Sequence, residues 1–102
     1  VYVEAAQALA RRIASGAEDR LGKIRRGFRL CLSRDPTGRE SARLAGLYED
    51  AHARYAKNPE AARKMATDPL GPAPAGSDLA ELAAWTVVGN VLLNLDETLM
   101  RR

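Results

Sequence analysis

Six basic residues crowd one short stretch of this chain: Arg20, Lys23, Arg25, Arg26, Arg29 and Arg34, with no acid among them after Asp19. A face of that kind can hold a phosphate or another anion. On a helix, however, these residues spread over the whole half opposite Leu21, Ile24 and Phe28, which is also how a solvated surface reads. No aromatic is interleaved for base stacking, and the formal net charge is only +3. Nucleic-acid binding through this helix is therefore kept as a weak alternative. The turn from Ser33 to Thr37 fits a helix-turn-helix, yet the next helix offers base edges little beyond Arg39 and Arg43.

Other reactive side chains are scattered. His52 is the only histidine, and with no second ligand type at i+4 it reads as a surface residue rather than a base or metal ligand. The single cysteine, Cys31, excludes an internal disulfide and any Cys-x-x-Cys motif. Its apolar helical position predicts a buried, inert thiol. Asp96 and Glu97 are adjacent, so on a helix they point about 100° apart and cannot act as a carboxylate pair. Asn94 and Asp96 lie beside the apolar side of their helix, with Arg34 a candidate partner. Arg34, Asn94, Asp96 and Glu97 form the candidate interdomain or structural polar cluster. No catalytic residue, cofactor ligand or metal ligand stands out, so no cofactor is expected in this piece and catalysis is not favoured.

These residues need elements to position them. Tyr2, Ala6, Leu9 and Ile13 recur at helical spacing until Ser15-Gly16. A second helix opens near Glu18-Asp19, with Leu21, Ile24, Phe28, Cys31 and Leu32 as its stripe, and stops at Arg34-Asp35-Pro36. Thr37 and Glu40 make a capping box for a third helix, with Leu44, Leu47, Tyr48, Ala51 and Tyr55 inward. Asn58-Pro59-Glu60 starts a short fourth helix that ends at Asp68-Pro69. Leu70 to Gly76 is the one real loop. Asp78 with Glu81 offers a second capping box, opening a helix that runs to about Met100, ~33 Å long.

That last helix is apolar most of the way round from Leu82 to Leu95, so other helices must surround it. Asn90, Asn94 and Asp96 interrupt it and need partners. Trp85 is expected to anchor the core, its indole N–H reaching a carbonyl. The longest uncharged run is shorter than the ~20 residues needed to cross a bilayer. The expectation is an all-α bundle of about five helices in one domain, residues 1–102, with the C-terminal helix central. The opening Val1, already within a helical pattern, reads as the edge of a fragment of a longer protein.

Several segments recur together in a known family. Arg25 to Thr37 reads Arg-Arg-Gly-Phe-Arg-Leu-Cys-Leu-Ser-Arg-Asp-Pro-Thr, followed by Glu40, and later by Ala84-Trp85 and Val91-Leu92-Leu93-Asn94-Leu95-Asp96-Glu97. This resembles the C-terminal part of a planctomycete-specific domain of unknown function, the fifteen-fifty-three family. Val3-Glu4-Ala5-Ala6 to Arg12 is also similar, and Thr98 departs from a pattern that usually has Phe there. The resemblance implies an extracytoplasmic or periplasmic setting and a multidomain parent with cytochrome-c-like segments. It implies no reaction. The resulting expectation is a structural or partner-docking module of a larger exported protein, its partners being the rest of the parent chain or another protein. The alternative is an interdomain part of an enzymatic or redox parent. Oligomeric state is not readable from the sequence.

Overall fold

In the computed structural model, five helices follow one another without a strand among the described residues: α1 (Val3–Ala14), α2 (Arg20–Leu32), α3 (Gly38–Ala56), α4 (Pro59–Thr67) and α5 (Leu79–Met100). The structure describes the backbone of residues 3–100 and the side chains of residues 3–95. Tyr2, Asp96, Glu97, Thr98 and the other side chains beyond 95 lie outside the described residues.

The helix boundaries follow from local chemistry. Asp19 caps α2 by accepting from Gly22 N at 2.9 Å. Ser33 ends α2 in a left-handed conformation, φ 57°, and donates its N–H to Arg29 O, so the stop falls one residue before Arg34. The Thr37–Glu40 capping box is complete: Glu40 N donates to Thr37 Oγ1 at 3.1 Å, and Thr37 N donates to Glu40 Oε1 at 2.8 Å. Asn58 caps α4, with Pro59 at its first position. The bond between Asp68 and Pro69 is cis.

The box expected at α5 forms only in part. Asp78 Oδ1 accepts from Ala80 N and Glu81 N, at 3.0 and 3.3 Å. Glu81 does not return the bond; its carboxylate turns to Lys23 and Trp85, both at 3.4 Å. Trp85 Nε1–H thus donates to a carboxylate, not to the backbone carbonyl expected for it.

Helix α5 touches all four others. Leu82, Ala83, Ala84, Trp85 and Thr86 are all buried, none above 4% exposed. Five consecutive helical residues go more than once round the axis, so this part of α5 is enclosed on every side. The radius of gyration is 12.8 Å, as expected of a folded chain this long, ~13 Å. Close approach depends on two glycines. A Cβ on Gly89 would stand 3.1 Å from Ala6 O, and one on Gly27 would stand 2.7 Å from Ile13 Cδ1.

Two stripe assignments need correction. Leu21 is 56% exposed rather than inward, because the core direction of α2 runs through Ile24, Gly27 and Phe28. Cys31 is only partly buried, packed against the core's edge. Leu47 and Tyr55 also pack there as partly buried residues.

Candidate functional site

The corner between α2 and α3 gathers the best-defined polar group. Arg34 donates through both terminal nitrogens to the Glu40 carboxylate, each at 3.0 Å. Its guanidinium also lies over the Phe28 ring, 4.8 Å from the centroid. Arg34, first, and then the Thr37 N–H, hold the Glu40 carboxyl at about 2, well below its usual 4.5. The same pair raises the Arg34 pKa. One carboxylate therefore caps α3 and clamps the α2–α3 turn.

Beside this corner runs a groove of about 370 Å³, lined by Phe28, Glu40, Arg43, Leu44, Leu47, Val91 and Leu95. Five of the seven are apolar, and Leu95 is 40% exposed. Asn94 is exposed on the α5 turn that carries Val91 and Leu95. Of the expected cluster, then, Arg34 is engaged with Glu40, Asn94 lies on the neighbouring wall of α5, and the side chains of Asp96 and Glu97 lie outside the described residues. Glu40 is the member that residue type and spacing marked as a cap only.

Four of the five cations of α2 pair with acids. Arg20 pairs with Glu49, Lys23 with Glu81, Arg26 with Glu18 and Arg29 with Asp35. Arg25 has no acidic partner among the described residues. Lys23 and Arg26 are half-buried or less exposed, which corrects the expectation that all six sit on the solvated half. Arg26 does more than pair: its Nη2 donates to Arg12 O and Ile13 O, at 2.5 and 2.7 Å. It thereby adds a second donor to carbonyls at the C-terminus of α1 that also accept from Ser15 Oγ and Gly16 N, where a cation is favoured.

A second such clasp was not anticipated. Gln7 is fully buried. Its amide N–H groups donate to Met65 O at 2.8 Å and Asp68 O at 2.5 Å, and its Oε1 accepts from Leu70 N at 3.1 Å. One turn on, Arg11 donates to Ala66 O and Gly71 O. Helix α1 thus caps the C-terminus of α4 and pins the following turn. The signal was present: Gln7 sits between Ala6 and Ala10 on the inward face, one turn before Arg11.

At the centre, Trp85 and Tyr48 rings lie 4.3 Å apart, His52 stacks on Tyr48 at 5.7 Å, and Arg20 covers Tyr48 at 5.2 Å. Burial, aided by the charge on Glu81, pushes the Tyr48 phenol up to about 12. His52 is half-buried against that ring rather than a free surface residue. Asn90 keeps its Oδ1 buried with no hydrogen-bond partner among the described residues, where one was expected. Among the described residues no three His, Cys, Asp or Glu side chains gather as a metal site, and no helix is long and apolar enough to cross a membrane.

No protein-family model, curated protein or solved structure matches this chain.

Proposed function

We propose that this chain is a helical structural or partner-docking module, working as part of a larger exported protein. The observation that carries this reading is where the polar side chains go. Gln7, Arg11, Arg26, Arg34 and Glu40 bind helix termini or one another, and do not converge on a cavity. The most apolar surface open to a partner is the groove between α2, α3 and α5, five of whose seven lining residues are apolar. The resemblance to the planctomycete domain supplies the exported, multidomain setting. Pairing of four of the five α2 cations, Arg25 excepted, favours this reading over nucleic-acid binding, which needs those charges available.

The test compares the parent protein with a form lacking residues 1–102. A truncated parent that folds and keeps its turnover and spectrum supports a structural or docking role. Loss of turnover by a folded truncated parent would transfer the case to an interdomain site. Turnover by the isolated chain, lost on Arg34→Ala with melting unchanged, would overturn the module reading outright.

A further inference from the structure

The groove between α3 and α5 has an asymmetric charge edge. Arg43 lines it, and Arg39 stands one turn earlier on α3, both exposed. Neither has an acidic partner among the described residues, although five other basic residues do. Glu40, the only acid among the described residues that line the groove, is already neutralised by Arg34. The trough is therefore apolar inside and cationic along one rim. Its walls, Leu44 and Leu47 on α3 and Val91 and Leu95 on α5, are residues one turn apart on two helices. Such a pair of ridges leaves a furrow that receives the ridge of a third helix.

We infer that this groove binds an amphipathic helix of a protein partner, one that carries acidic residues a turn apart beside its apolar stripe. The apolar stripe enters between Leu47 and Leu95, as helix-in-groove recognition requires. The acids meet Arg39 and Arg43, whose spacing matches i, i+4 carboxylates on the incoming helix. The inference rests on the docking role proposed above and names the chemistry of the docked partner.

The probe is a labelled synthetic helix of about 14 residues, with Leu at i, i+3, i+4 and i+7 and Glu along one flank. A second peptide carries Lys in place of Glu. Fluorescence anisotropy should show the Glu peptide binding about tenfold more tightly than the Lys peptide. The double variant Arg39→Glu, Arg43→Glu should reverse that preference. Leu95→Ser should weaken the Glu peptide about fivefold or more with an unchanged melting temperature, since Leu95 is already 40% exposed. Equal binding of the two peptides, or no binding at about 1 mM, overturns the inference. So does a dimer seen by sedimentation that the double variant dissolves, because a second copy then fills the groove. None of these failures touches the comparison of parent and truncated parent, so the docking reading stands or falls separately.

Discussion

Gln7 shows how much one uncharged side chain can hold. Its amide satisfies two carbonyls and one N–H of a segment about sixty residues away. Gln7→Leu keeps the volume but leaves those partly buried groups without their partner, so it should cost about 1–3 kcal/mol. Urea denaturation measures it, and a loss no larger than that of a surface substitution would show that the clasp is idle. Glu40 gives a pH dependence whose sign follows from its depressed folded pKa. Its contribution is fully present above its unfolded value near 4.5 and is lost as pH falls through about 2. Glu40→Gln should flatten the acid limb of the stability profile over that window. Tyr48 works in the opposite sense: its folded pKa is raised to about 12 from 10. Its contribution is full below pH 10 and fades as pH climbs through about 12. At this scale the sequence was least legible, because spacing says which residues face inward but not which backbone groups they will meet. Gln7, Arg26 and Lys23 found partners on other helices, and such partners exist only once the helices have packed.

Helices themselves were readable because their signals are local. The Thr37–Glu40 box, Asn58-Pro59 and Asp19 act within one turn of chain, and each helix began within a residue or two of its cap. Glu81 departs from its box because Lys23 and Trp85 offer its carboxylate a tertiary alternative. Leu21 misled because the stripe of α2 is narrower than its apolar residues, centred on Gly27. That glycine sets a contrast between helices. In α2, Gly27→Ala drives a methyl against fully buried Ile13 and Leu92 and should destabilise by about 1–3 kcal/mol. In α3, Gly46→Ala meets nothing within 4 Å and should stabilise by about 0.5–1 kcal/mol. Thermal melts of the two variants should move in opposite directions. A Gly27→Ala melt at or above that of the unaltered chain would mean that the α1–α2 contact at Gly27 has room for a methyl.

Across the whole molecule, stability hangs on α5, and the central apolar helix was the part of the architecture plainest in the sequence. Trp85 is the only tryptophan, is 1% exposed and touches the Tyr48 stack. Trp85→Ala should cost ~3–5 kcal/mol, close to the total for a domain with about 5–10. In the unaltered chain, Trp85 fluorescence and far-ultraviolet circular dichroism should report one coincident transition. Separated transitions would mean that some helices melt apart from the centre. The groove was not legible, since it needs three helices placed before its walls exist. The enclosure of α5 by α1, α2, α3 and α4 also has an order to it. The four surrounding helices precede α5 in the chain, so the casing is synthesised before its filling. Until α5 arrives, Ile13, Ile24, Phe28 and Tyr48 lack the surface of Trp85, Val88 and Leu92 that completes their burial. A chain cut after Asp78 should therefore be a loose collection of nascent helices, and a separate peptide of residues 79–102 should restore it by complementation in trans.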